Sequence, residues 1–168
     1  MKRGGRWVVA TLLICCLAAG LCSCGVRREA DEVLSELLAT SSLPRGVIYS
    51  SDAPEGGAGR ASESFLAALY GEDALSHEFG RLESFAIYSS ARMELCEVAV
   101  FGCFAASDAD LLAKMCRGRV ERLERYIAAA GKEAPQMRVW ARGRWVFMAV
   151  CGEADALMER SSRVLAGV

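Results

Sequence analysis

The segment MRVWARGRWVFMAVC, residues 137–151, constrains the fold more than any other stretch of the chain. Successive side chains of a strand point to opposite faces, so residue parity shows which side each occupies. The Arg142-Gly143 pair suits a two-residue turn, which sets Trp140 opposite Trp145 and Arg138 opposite Phe147. Val139, Val146, Met148 and Val150 then fall on the other face. Both faces are apolar. A sheet built on such a hairpin must be covered twice or must offer one side to a partner.

The remaining elements follow from periodicity. Leu82–Ser90 and 95–104 read as strands, the second alternating Cys96, Val98 and Val100 with Glu97, Ala99 and Phe101. The longest helix is expected over 108–130, with Ser107 and Asp110 as a capping-box-like start. Its inward stripe is Leu112, Cys116, Val120, Leu123 and Ile127, with Arg117, Arg119, Glu121, Arg122, Glu124 and Arg125 outside. A final helix over 153–166 buries Ala154, Leu157, Met158, Ser161, Val164 and Leu165. Earlier in the chain, 27–40 reads as an amphipathic helix. Residues 41–61 read as a Pro/Gly/Ser loop with a short extended piece at 47–49. Ser62 caps a short helix, Glu63–Tyr70, which Gly71 stops. The resulting fold class is α+β: a mostly antiparallel four-stranded sheet, with a ββαββα core packed with helices. The long and final helices are expected on one face and the N-terminal segments on the other.

The N-terminus gives an address. Lys2, Arg3 and Arg6 precede an uncharged apolar run from Trp7 to Leu21, the layout of a secretory signal. Leu21-Cys22-Ser23-Cys24 resembles a bacterial lipobox, which would make Cys24 the lipidated mature N-terminus. An uncleaved N-terminal anchor helix is the alternative, because the 20 residues from Trp7 to Val26 carry no charge. Both place the rest of the chain outside the cytoplasm, on the membrane's outer face. The domain reading is a signal over 1–23, a tether over 24–61 and an α+β domain over 62–168. From Cys24 onward there are 17 basic and 21 acidic residues. That balance argues against a nucleic-acid partner, which calls for a net basic footprint.

Sites are sparse. The single histidine, His77, has no second histidine at metal-ligand spacing, so no metal site or other cofactor is expected. Cys96, Cys103, Cys116 and Cys151 show no C-x-x-C spacing and allow three pairings. Cys96 and Cys103 point to opposite faces of one strand and should not pair with each other. Asp108 and Asp110 read as helix N-terminal acids, and Glu72 and Asp73 as turn residues. The candidate binding patch is Arg138, Trp140, Arg142, Arg144 and Trp145, where two indoles and three guanidiniums could meet a peptide or glycan. The other reading of the patch has both rings covering the sheet beneath a helix, with arginine stems over them.

The Tyr70-Gly71 stop, the strand EVAVF at 97–101, the Ser-capped helix after it and the ending ARGRWVFMAVCGEADA resemble one family. It is the domain-of-unknown-function (DUF) 4358 family, DUF4358, of small bacterial lipoproteins, and the resemblance spans about 44–166. It implies an exported, membrane-tethered domain and carries over no catalytic residues. The departures are the extra cysteines and the Gly-rich insertion near 55–59. The expected function is a non-catalytic binding or scaffolding domain at the cell envelope, tethered through lipid on Cys24, with an envelope protein, peptide or glycan as partner. The alternatives are a cysteine-dependent envelope hydrolase or redox enzyme, with Cys151 or Cys103 as nucleophile, and a structural spacer.

Overall fold

A computed structural model describes residues 28–71, 79–91 and 95–167. The signal segment, Cys24, Glu72, Asp73 and His77 lie outside the described residues. The fold is α+β, with five strands: β1 (Gly46–Ser50), β2 (Leu82–Ser90), β3 (Glu97–Cys103), β4 (Met137–Arg142) and β5 (Trp145–Val150). Among the described residues these strands all pair antiparallel, in the order β1-β2-β3-β5-β4. Four helices accompany them among the described residues: α1 (Ala30–Leu38), α2 (Glu63–Tyr70), α3 (Ala109–Ala129) and α4 (Ala154–Ala166).

The sheet has one strand more than the sequence predicts. The short extended piece at 47–49 is the middle of β1, paired with β2 from Gly46↔Ser90 to Ser50↔Ala86. As an edge strand it is only partly buried, and Val47 is 42% exposed, so it carries little apolar alternation to read. Its position depends on Gly46. A Cβ there would lie 2.4 Å from the Ser89 carbonyl oxygen and 2.5 Å from the Tyr88 ring.

Both sheet faces are covered, but by different helix pairs from those expected. Strands about 4.8 Å apart make a five-stranded face roughly 19 Å wide, and a helix is only about 10–12 Å across, so each face takes two. Helices α1 and α4 lie over Ala86, Val98, Val100, Phe147 and Ala149. Helices α2 and α3 lie over Ile87, Ala99, Phe101, Val146 and Met148. The long helix therefore does not share a face with the final one. Polar contacts add to the apolar packing of α4 and α1: Arg28 donates to the Val164 carbonyl and Arg160 Nη1 to the Leu37 carbonyl at 2.8 Å. Each arginine thus serves a carbonyl near the other helix's C-terminus, where a cation is favoured. Ala30, Val33, Leu34 and Leu37 are fully buried, so the segment expected to act as a tether contributes a core helix.

Two local expectations also change. The β4–β5 turn is Gly143-Arg144, and the register is Trp140↔Phe147 and Arg142↔Trp145. Gly143 has φ +58°, and among the described residues no non-glycine residue has positive φ. A turn with glycine first, of type II′, needs a positive φ only there; an Arg142-Gly143 type I′ turn would force it on Arg142 as well. The change shifts each pairing by two residues, so the assignment of residues to faces stands. At the start of α3 no capping box forms. A 3₁₀ turn, Ala106–Asp108, precedes the helix, and Asp108 pairs with Arg81 at 2.5 Å.

Candidate functional site

The five residues of the Arg/Trp patch lie close together on the β4–β5 hairpin, and each makes contacts within the fold. Trp145 is 7% exposed. The Arg144 guanidinium stands 4.5 Å from the Trp145 ring centre, pairs with Glu83 and donates to the Arg28 carbonyl at 3.2 Å. Glu83 reaches it from a bulge, because the β2–β3 register shifts between Leu82 and Ser84. A bulge re-aims the side chain it inserts. The neighbouring Ser84 is used too: its Oγ accepts from the Ala30 backbone N–H at 3.1 Å and so serves the first turn of α1.

Trp140 lies parallel to Phe147, with ring centres 5.1 Å apart and planes 5° apart. Its indole N–H donates to Ser161 Oγ at 3.0 Å, as does Arg142 Nε, also at 3.0 Å. Ser161 Oγ in turn donates to the Met158 carbonyl at 2.7 Å. A hydroxyl offers one donor and two acceptor positions, and all three are taken. That explains a serine in the buried stripe of α4. Arg138 makes a two-pronged contact to Asp155, at 2.6 and 3.2 Å. Trp140 thus helps seat α4 on the sheet. What the patch turns outward is the partly exposed cationic rim of Arg138 and Arg142 on the edge strand β4.

On the opposite face the fold holds a polar cluster of Tyr70, Glu97 and Arg119. Arg119 does not solvate the outside of α3. Its Nη2 and Nε donate to the two carboxylate oxygens of Glu97, at 2.7 and 3.3 Å. The Tyr70 hydroxyl reaches Glu97 Oε1 at 3.4 Å, and its ring meets Phe101 edge-on at 5.4 Å. Burial, then the Glu97 charge, pushes the Tyr70 phenol well above its ordinary range. Burial opposes the charge on Arg119, but the hydrogen bond and charge of Glu97 outweigh it and hold the guanidinium above its usual value. The signal was present in the spacing. Arg119 lies three residues after Cys116 and four before Leu123, on the inward side of α3.

The four described cysteines are buried and divide between the faces. Cys96 and Cys151 belong to the α1/α4 side, and Cys103 and Cys116 to the α2/α3 side. Burial, reinforced by Asp108, pushes the Cys103 thiol up to about 11, and burial raises Cys116 further. Both hold little thiolate at neutral pH, and thiolate is the nucleophilic form. Cys151 behaves differently. A hydrogen bond from Cys96 lowers it, burial opposes that, and a backbone hydrogen bond at Glu153 assists.

Among the described residues no group of three or more His, Cys, Asp or Glu side chains is placed to hold a metal ion. None of their helices is long and apolar enough to cross a membrane. Comparison with family models, with curated proteins and with solved structures finds no match.

Proposed function

We propose that this chain is a lipoprotein tethered to the extracytoplasmic face of the cell membrane, a non-catalytic domain that binds or scaffolds an envelope component. The observation that carries the reading is the leader. A cationic start, an uncharged apolar run and Leu21-Cys22-Ser23-Cys24 occur in the order that export and lipidation require. The resemblance of 44–166 to the DUF4358 lipoproteins points the same way. With both sheet faces occupied by the chain's own helices, the surface offered to a partner is the β4 edge. There the Arg138 and Arg142 guanidiniums suit anionic groups of a peptide or glycan.

Intact mass of the full chain, extracted from membranes in detergent, tests this. The expected species starts at Cys24 and carries a diacylglycerol on its sulfur. Replacing Cys24 by alanine should abolish that mass and release the domain from the membrane or leave the leader uncut. An unmodified chain that retains Met1 would overturn the lipid anchor.

A further inference from the structure

We propose that Cys96 and Cys151 form a redox-active cross-strand pair, which closes to a disulfide by exchange with a low-molecular-weight disulfide. The position follows from the sheet register. The last paired residues of β3 and β5 are Glu97 and Val150, so one step outward Cys96 faces Cys151. Their backbone groups point away from each other. The Cys96 carbonyl accepts from Ser90 N at 3.0 Å, toward β2, and Cys151 N donates to the Gln136 carbonyl at 3.0 Å, toward β4. A residue in a strand directs its N–H and C=O to the same side, so these two occupy a non-hydrogen-bonded position. Antiparallel strands bring Cα atoms closest there, to about 4.5 Å, within the range of about 4.4–6.8 Å that a disulfide spans.

The side chains agree with the backbone. Both side chains belong to the buried cluster beneath α1 and α4, on the same face of the sheet. The other two cysteines lack this geometry. Cys103 is at the far end of β3 facing the opposite side, and Cys116 is on α3. Chemically, the Cys151 thiolate attacks one sulfur of an external disulfide, RSSR, forming a mixed disulfide and expelling one thiolate. Cys96, its proton lost to solvent, attacks the Cys151 sulfur and expels the second. The protein dithiol loses two electrons and two protons, and RSSR is reduced to two RSH. Cys96 and Cys151 are only 6% and 2% exposed, but each lies one residue beyond its strand. Opening at a strand end costs less than opening the sheet centre, which gives the reagent its access.

The test uses the folded full chain in detergent, exposed to oxidised glutathione, acid-quenched, unfolded, alkylated and mapped by peptide mass. Each cysteine is scored separately, so the result does not depend on whether Cys24 is lipidated. The expected product joins the Cys96 and Cys151 peptides, two hydrogens lighter than their sum, with Cys103 and Cys116 alkylated. Dithiothreitol should reverse it. In a Cys103→Ala/Cys116→Ala variant the same link should form, and in Cys96→Ser, Cys151 should stop at the glutathione adduct. A Cys103–Cys116 link, full alkylation of Cys96 and Cys151 after oxidation, or a link formed only from unfolded chain would overturn the proposal.

Discussion

At the scale of single residues, the Glu97–Arg119 pair carries the largest electrostatic stake. The two side chains are 8% and 18% exposed, so neither charge is well solvated without the other. Replacing one partner leaves the other charge buried and uncompensated, which typically costs about 3–5 kcal/mol, whereas replacing both with apolar or neutral groups costs much less. Arg119→Met should therefore lower stability by about 3–5 kcal/mol in urea melts, and Glu97→Gln/Arg119→Met should recover much of the loss. Equal losses in the single and double variants would show that the pair is not coupled. A second residue-scale prediction concerns alkali. The Cys103 thiol sits at about 11 in the fold against an ordinary value near 9. Between these values the unfolded chain has released its proton and the fold has not, so stability must decline as pH rises from about 9 to 11. Cys116 and, above about pH 10, Tyr70 add to the same decline because their ionisation is also raised. Cys103→Ala should make the alkaline limb of a pH–stability curve shallower without removing it.

At the scale of elements, one positive φ fixes the register of the hairpin. Gly143 at φ +58° leads the turn, and the pairing Arg142↔Trp145 follows from it. A side chain in that conformation costs about 1–2 kcal/mol. Gly143→Ala should lower stability by about that amount, whereas Gly152→Ala, at a glycine with negative φ and open space around the Cβ, should cost less. Thermal melts of the two variants make the comparison. The same hairpin shows what sequence can convey. The residues of each face were legible because parity survives a two-residue register change. The pairing was not, because Arg-Gly and Gly-Arg both look like turns until the sign of φ at each position is known. The bounds of β2 and α2 were legible as well, through β-rich composition in one and the Ser62 cap in the other, whose Oγ accepts from Phe65 N at 3.3 Å. Of strand β1 only the extended piece at 47–49 was legible, since its bounds and pairing come from a partner 36 to 44 residues away rather than from a local pattern. In the candidate site, cationic and aromatic residues were visible by type. Their commitments to Ser161, Glu83 and Asp155 come from tertiary neighbours that no spacing within one strand displays.

At the scale of the whole molecule, α1 decides where the domain begins. Read alone, 27–40 is an amphipathic segment near an anchor, separated by a loop from everything it touches. In the fold its apolar stripe closes one sheet face beside α4. Burying Val33, Leu34 and Leu37 is worth about 1.5–3 kcal/mol for each side chain, before any cavity left behind is counted. Together these approach the total stability of an ordinary domain, about 5–15 kcal/mol. A chain starting at Leu43 would also lose the Arg160 contact to Leu37 and expose Ala86 and Val98 beneath the missing helix. A chain starting at Arg28 should therefore melt cooperatively, whereas one starting at Leu43 should aggregate or bind a hydrophobic dye strongly. Two variants with equal melting midpoints would show that α1 is dispensable. The consequence for the proposed anchor is geometric. Three residues, 25–27, lie between Cys24 and Arg28, which the fold holds by hydrogen bonds, so at about 3.5 Å per residue the spacer reaches only about 14 Å. A lipid on Cys24, as proposed, would hold the N-terminal end of α1 within that distance of the bilayer rather than on a long leash.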